Sequence, residues 1–351
     1  MQTALIGDLE TAIRRHHAAF NAAAETRSHL KAPGAERRQP LPLLVQAEGS
    51  NTSLVEWLPS NREELSAKLL KHGGILFRGF AIQSAQQFEE VIGTVSGRLL
   101  DYTYRSTPRT VVSRKIYTST EYPPHQTIPL HNENSYTRDW PMKIWFFSRV
   151  CAATGGETPI ADSRRVYRRI PREVRERFER KGVMYVRNYG SGFDLPWQEV
   201  FQKTERGGVE DFCRRAGMQF EWLPNDHLRT RQVCQAVASH PITGEMVWFN
   251  QAHLFHVSRL PEEVRDAMLT IFAEEELPRN VYFGDGAKID PADLDLICAA
   301  YADEKVAFQW EPGDVLLLDN MLTAHARNPF TGEQQVVVGM AEPYSAINER
   351  I

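Results

Sequence analysis

A histidine and an acidic residue stand two positions apart in the segment PLHNENSY, as His131 and Glu133. On a β-strand, alternate residues point to the same face, so both side chains can approach one metal ion. A neutral imidazole and a carboxylate suit Fe(II), Mn(II) or Zn(II). The spacing alone is weak evidence, because a chain with 11 His and 45 acidic residues contains about one such pair by chance.

A third candidate ligand, His325, lies 194 positions after His131, just beyond the apolar run VLLL. Two histidines and one carboxylate on a β-scaffold form a facial triad, which leaves three metal positions open for O2 and a bidentate co-substrate. Taken alone, His325 also fits a hydrogen-bonded core histidine. The same triad with Zn(II) would serve a hydrolase.

A scaffold of short strands and helices must position these side chains. Periodicity and capping residues predict helices at 1–22, 60–72, 85–96, 164–181, 199–216 and 261–277. Apolar runs predict strands at 75–77, 127–150, 183–189, 245–250, 306–310, 314–320 and 335–343. Because strands and helices do not alternate regularly, we expect a β-rich α+β fold.

The pattern also predicts the domain organisation. An N-terminal helix and linker occupy residues 1–43, where prolines and basic residues cluster after position 26. A single domain follows over 44–351, with a helical insertion around 163–280. In the helix over 60–72, Ser60 is the expected N-cap, and Gly73-Gly74 marks its end.

Composition excludes several classes of protein. The net charge of −4 over 351 residues gives no general attraction to nucleic acid or to an anionic membrane. No stretch approaches the roughly 20 apolar residues of a membrane-spanning helix. Four cysteines without a close pair predict buried thiols in a reducing, cytoplasmic setting. Association into a homo-oligomer is compatible with the sequence.

Three motifs resemble a known family. HNENSY (131–136), GGETPIAD (155–162) and LLLDNMLTAHARNPFTG (316–332) are similar to those of the taurine dioxygenase-like, or clavaminate-synthase-like, Fe(II)/2-oxoglutarate oxygenases. The stretches WPMKIWFF (140–147) and TGEMVWFNQAHLFHVS (243–258) resemble a branch with amino-acid hydroxylases of nonribosomal-peptide and related small-metabolite pathways. This resemblance implies a distorted double-stranded β-helix, a jelly-roll core with helical insertions.

The resemblance also implies a site. His131, Glu133 and His325 match the iron ligands, and Thr158 matches a threonine that helps to hold 2-oxoglutarate. Such an enzyme uses Fe(II), 2-oxoglutarate and O2 to oxidise an unactivated C–H bond, with succinate and CO2 as co-products.

One departure from the family pattern concerns 2-oxoglutarate. Gln334 stands where the family usually has an arginine that clamps the distal carboxylate. Glutamine supplies no charge, so either another arginine, Arg327 first, replaces the clamp, or the enzyme takes its electrons from the substrate without 2-oxoglutarate. A non-catalytic protein that keeps the metal pocket is a third reading.

The substrate expected from the branch is an amino acid or a derivative, free or tethered to a carrier protein. The residues that we expect around it lie within or just before the first motif, in the segment LRTRQ (228–232), or in the stretch 243–258. They are Glu121, Asn134, Ser135, Arg231 and Asn250.

Overall fold

The computed structural model describes residues 40–49, 51–97, 99–101, 104, 110–113, 115–118 and 122–346. The predicted N-terminal helix and nearly all of its linker therefore lie outside the described residues. The same holds for Glu121.

Eighteen strands are found among the described residues. They are β1 (Leu43–Gln46), β2 (Gly74–Arg78), β3 (Val111–Ser113), β4 (Ile116–Thr118), β5 (Ile128–His131), β6 (Asp139–Val150), β7 (Thr154–Gly155), β8 (Ile160–Asp162), β9 (Val183–Tyr189), β10 (Gln219–Leu223), β11 (His227–Cys234), β12 (Val237–Ser239), β13 (Met246–Trp248), β14 (Arg279–Phe283), β15 (Val315–Asp319), β16 (Thr323–Arg327), β17 (Phe330–Thr331) and β18 (Gln335–Ser345).

Nine α-helices accompany these strands in the described part of the chain. They are α1 (Leu54–His72), α2 (Ala85–Ser96), α3 (Ser163–Arg169), α4 (Arg172–Lys181), α5 (Trp197–Phe201), α6 (Arg206–Arg215), α7 (Ala252–Phe255), α8 (Glu262–Ile271) and α9 (Pro291–Glu304). None of the helices in the described ranges is both long and apolar enough to cross a lipid bilayer.

The largest sheet has seven strands in the order β1-β2-β15-β6-β18-β4-β3. Its neighbouring strands are antiparallel except for the parallel pair β1-β2. In β15, Val315 and Leu317 pack with α1 and α2, whereas Leu316 and Leu318 face the opposite side. Burial of both faces explains why this strand reads as a continuous apolar run.

A three-stranded sheet, β5-β16-β8, lies against the second face of this main sheet. Ile160 of β8 joins the apolar cluster that contains Phe146 of β6 and Val338 of β18. The ring of His325 on β16 stands 5.2 Å from that of Phe146. The candidate ligands therefore lie between two facing antiparallel sheets.

The segment 163–280, in which strands were predicted only at 183–189 and 245–250, contributes a whole sheet besides its helices. It holds α3–α8, but β9, β10, β11 and β14 form a second sheet in the order β10-β11-β9-β14. In β11, Leu228, Thr230, Gln232 and Cys234 are buried in alternation with more exposed residues. Half of those inward residues are polar, so the period-2 pattern is not visible as hydrophobicity.

This second sheet shares its core with the three-stranded sheet. One apolar cluster joins Leu130 of β5 and Ala324 of β16 to Val183 of β9 and Phe178 of α4. The strands that carry the candidate ligands are therefore packed on both sides.

Several predicted elements need correction. Helix α1 begins at Leu54 with Ser53 as its N-cap, so Ser60 lies within the helix. The helices predicted at 164–181 and 199–216 are each two shorter helices; the first breaks at Ile170-Pro171, where proline cannot donate an amide hydrogen. Residues 306–310 form no strand; Val306 makes only an isolated bridge to Ile160.

Candidate functional site

The three candidate ligands converge at the junction of β5 and β16. His131 ends β5 and pairs directly with His325 of β16. Glu133 lies in the turn after β5, not on the strand itself as the alternation argument assumed. One ligand atom from each of the three residues lies within 4.8 Å of the others.

The arrangement of these groups fits a divalent transition metal. The two imidazole rings are 4.5 Å apart between centroids, and His325 Nε2 lies 3.8 Å from Glu133 Oε2. His131 Nδ1 is 2.8 Å from the Pro129 carbonyl oxygen. Because a carbonyl only accepts, Nδ1 carries the proton and Nε2 keeps its lone pair for a metal. Two nitrogens and one carboxylate suit Fe(II).

The turn that carries Glu133 is held by the side chain of Asn320, at the end of the LLLDN run. Asn320 Oδ1 accepts from the Glu133 amide at 2.8 Å, and Nδ2 donates to the carbonyls of Glu133 and Pro141 at 2.9 and 2.8 Å. These three bonds position the backbone of Glu133 from a residue five positions before His325. Asn320 belongs to the third motif, but its sequence position did not indicate this role.

Two further amides hold the same turn. Gln235 Nε2 donates to the carbonyls of Ser135 and Thr137, both at 3.0 Å. Gln251 Nε2 donates to the Asn132 carbonyl at 2.8 Å. Neither role could be predicted, because a glutamine near a strand end carries no sequence signal of what it will contact.

A small cavity of about 40 Å³ adjoins the two histidines. It is lined by both histidines, by Thr158, Arg327 and Gln334, and otherwise by apolar side chains and Gly156. The structure thus brings together the three residues that the family resemblance and its departure singled out for 2-oxoglutarate.

Each of these three residues is held by neighbours. Thr158 Oγ1 accepts from the Trp310 indole nitrogen at 3.1 Å. Gln334 Nε2 donates to the Gly156 carbonyl at 2.6 Å. Arg327 Nη2 donates to three backbone carbonyls, at 3.1, 2.9 and 3.1 Å. Burial lowers the pKa of the Arg327 guanidinium from its ordinary value.

A second, larger cavity of about 280 Å³ lies farther along the main sheet. Val336 and Val338 of β18 line the small cavity, and Met340 on the same face lines the large one. Asn134 also lines the large cavity, next in sequence to Glu133. Ser135, by contrast, is fully buried and donates its hydroxyl to the Asn132 carbonyl at 2.9 Å.

The other two substrate candidates that the structure describes, Asn250 and Arg231, line neither cavity. Asn250 is fully buried, and its Nδ2 donates to the Ala236 carbonyl at 2.7 Å. This amide satisfies backbone groups, as a buried polar side chain must. Arg231 lies on the second sheet with Nη1 3.8 Å from Glu221 Oε2. Glu121 lies outside the described residues.

Comparison with known proteins agrees with this geometry. Residues 37–341 match the profile of the "Taurine catabolism dioxygenase TauD, TfdA family". The dapdiamide synthesis protein DdaC of Enterobacter agglomerans is 41% identical over 300 residues, which cover 86% of this chain and 91% of that protein. A clavaminate synthase-like protein of Arabidopsis thaliana is 31% identical over 301 residues, covering 81% of this chain and 86% of that protein.

A solved structure shares the fold. The crystal structure of a taurine dioxygenase from Burkholderia xenovorans aligns with a TM-score of 0.50 at 16% identity, covering 88% of this chain and 91% of that one. The predicted jelly-roll core with helical insertions is confirmed, and so is the family resemblance of the three motifs. The chain is a dioxygenase that belongs to the taurine catabolism dioxygenase TauD, TfdA family.

Proposed function

We propose that this protein is an Fe(II)- and 2-oxoglutarate-dependent dioxygenase that oxidises a C–H bond of an amino-acid-derived metabolite. The observation that carries the proposal is the convergence of His131, Glu133 and His325 beside a cavity lined by Thr158 and Arg327. The three ligand atoms would hold the iron. Bound iron, with 2-oxoglutarate and O2, supplies the oxidising chemistry of this family.

The protein's own groups would then orient the co-substrate. Thr158 and Arg327 both line the small cavity, and a hydroxyl and a guanidinium can both donate to a carboxylate. Arg327 lies two positions after His325 on β16, so its backbone is fixed by the same strand that fixes the ligand. The apolar side chains around it limit access of water.

The proposed substrate class rests on sequence similarity to a relative. The 41% identical relative is named for dapdiamide synthesis, which supports placing this chain in the synthesis of a small metabolite. An amino-acid derivative, free or tethered to a carrier protein, is the substrate class that we propose. The four free cysteines are consistent with a reducing, cytoplasmic setting.

A second candidate function is favoured by one contact. Gln334 supplies no charge, and its amide donates to the Gly156 carbonyl. If Arg327 is committed to the carbonyls that it contacts, 2-oxoglutarate lacks its usual clamp. The enzyme would then be an iron oxygenase that takes all its electrons from the substrate.

The test is an anaerobic titration of 2-oxoglutarate into the Fe(II)-loaded protein, followed by calorimetry and by the visible charge-transfer band of the chelate. Binding of 2-oxoglutarate together with the charge-transfer band supports the proposal. Arg327→Met should then weaken 2-oxoglutarate binding at least tenfold, as expected for a lost charge-assisted contact. Arg231→Met, a change on the second sheet, is the matched control. Iron retention without any 2-oxoglutarate binding would instead support the second candidate.

A further inference from the structure

Strand β5 carries a β-bulge directly beside the candidate ligand His131. Its pairing with β16 shifts register just before this residue, so that Pro129 and Leu130 stand opposite a single residue of β16. A bulge disrupts the ladder of backbone hydrogen bonds locally and re-aims a side chain, and bulges are frequent next to active sites. The direction of the His131 side chain therefore depends on the contacts that hold these two residues.

The carbonyl groups of both bulge residues bind imidazoles. The Pro129 carbonyl oxygen is 2.8 Å from Nδ1 of His131 itself. The Leu130 carbonyl oxygen is 2.8 Å from Nε2 of His253, whose side chain is 5% exposed. Because a carbonyl only accepts, Nε2 of His253 carries the proton and donates it to this bond. The bulge is thus bonded both to the ring of the ligand and to a second, buried histidine.

His253 is held in place by helix α7 and its surroundings. The Asn250 side chain and the Tyr185 hydroxyl accept hydrogen bonds from backbone amides at the start of α7, at 3.0 and 2.7 Å. The His253 ring lies 4.9 Å from the Tyr301 ring of α9. A buried ring with packed neighbours keeps one orientation, so the donor that meets the bulge is a rigid one.

Gln251, two positions before His253, contacts the chain just after His131. Its Nε2 donates to the Asn132 carbonyl at 2.8 Å. The same carbonyl accepts from the Ser135 hydroxyl at 2.9 Å, so it keeps a donor when Gln251 is absent. We therefore assign the main role to His253 and a supporting role to Gln251.

The metal site tolerates little displacement of its ligands. The imidazole centroids of His131 and His325 are 4.5 Å apart, and a functional set of ligands must stay within about 0.5 Å of its productive geometry. Relaxation of the bulge by one residue would turn the side chains of β5 to the opposite face of the sheet. Whatever stabilises the bulge therefore stabilises the donor set.

We propose that His253 is a positioning residue for the metal, because its Nε2–H holds the bulge that aims His131. This inference rests on the proposed function, since it concerns the metal site of His131, Glu133 and His325. It gives the insertion at 163–280 a role at the metal through α7, a helix of four residues.

The test compares two variants of the full-length protein. His253→Leu removes the donor, whereas His253→Gln keeps an N–H group at a similar reach. Fe(II) affinity is measured by anaerobic competition with a chromogenic chelator. Residues that orient metal ligands contribute about 10–100-fold to metal affinity, so we expect His253→Leu to lose affinity in that range and His253→Gln to stay within about threefold of the wild type. The visible d–d bands of the Co(II)-loaded protein report ligand geometry and should change in His253→Leu alone.

His256→Leu is the matched control. This histidine follows α7 directly, and its Nδ1 lies 2.7 Å from Ser258 Oγ. The control should keep the Fe(II) affinity and the Co(II) spectrum of the wild type. Should His253→Leu fold poorly, as judged by circular dichroism, His253→Phe takes its place, since it keeps a ring beside Tyr301 and lacks the donor.

The outcomes separate this inference from the proposed function. Wild-type Fe(II) affinity in the variant that lacks the donor, or equal losses in that variant and in His253→Gln, would overturn the role of His253 and leave the metal site intact. A wild-type protein that binds no Fe(II) would overturn the proposed function and this inference together.

Discussion

Replacing Asn320 by leucine should weaken iron binding without touching a ligand. The side chain makes three hydrogen bonds, to the amide and carbonyl of Glu133 and to the carbonyl of Pro141. Leucine is close in volume but leaves these three buried backbone groups without their partner. Each such group costs about 1–3 kcal/mol, so we expect the unfolding free energy to fall by at least about 3 kcal/mol.

The loss of Fe(II) affinity should exceed the loss that a general destabilisation of the fold causes. Residues that orient metal ligands typically contribute about 10–100-fold to metal affinity, and we expect Asn320→Leu to lose Fe(II) affinity in that range. The assay is anaerobic competition with a chromogenic chelator, together with urea unfolding of the metal-free protein.

Asn280 provides the matched control. It is 2% exposed, and its Oδ1 accepts from the amides of Val257 and Val281, at 3.2 and 2.9 Å. Asn280→Leu should destabilise the fold to a similar degree and leave Fe(II) affinity unchanged. Wild-type iron affinity in Asn320→Leu, or an equal loss in both variants, would refute the argument that this amide positions Glu133.

Two other perturbations test the small cavity and its surroundings. Gly156→Ala places a Cβ 2.3 Å from Gln334 Nε2 at a φ of +74°, so we expect weaker 2-oxoglutarate binding in the anaerobic titration. The control is Gly192→Ala, at a φ of +81° with open space around it, which should bind 2-oxoglutarate as the wild type does. Burial lowers the pKa of His253 to about 4. The folded state therefore binds fewer protons than the unfolded state between pH 4 and about 6.5, and stability falls as the pH drops through that window, by up to about 3 kcal/mol. His253→Gln, which keeps a donor for the Leu130 carbonyl, should flatten this part of the profile in urea unfolding; an unchanged slope would contradict the assignment to His253.

The helices and strands whose bounds were predicted correctly are those whose formation depends on neighbouring residues in the sequence. Helix α2 matches its predicted bounds, because Ser84 caps it and its apolar residues recur at helical spacing. Strand β9 also matches, because it is a short run rich in apolar and aromatic residues. The β-rich core followed from the apolar runs of β6, β15 and β18.

The strands and helices that were not predicted either lacked a local apolar pattern or carried only a capping signal. Half of the residues that strand β11 buries are polar, so its period-2 pattern is weak when it is read as hydrophobicity. Helix α9 was not predicted, although Asp290 as its N-cap and Pro291 in its first turn are typical of a helix start.

In the candidate site, too, some residues could be predicted from the sequence and others could not. The convergence of the three candidate ligands could be predicted because three separated motifs, in this order, resemble those of one family, whereas the His-x-Glu spacing alone is weak evidence. The amides of Asn320, Gln235 and Gln251 could not, because their role depends on neighbours far away in the chain. Asn250 shows the reverse error, since a polar residue at a strand end can serve the backbone alone.

The separation of the ligands along the chain has a consequence for when the metal site can form. His131 and Glu133 are synthesised early, and His325 follows only 194 positions later. At about 5–20 residues per second, the ribosome needs roughly 10–40 s to make the intervening segment. Throughout that interval the nascent chain offers an incomplete donor set, and His325 reaches its position only when β16 docks between β5 and β8. A metal that needs all three donors therefore finds its complete site only after the last part of the chain has been made and β16 has docked.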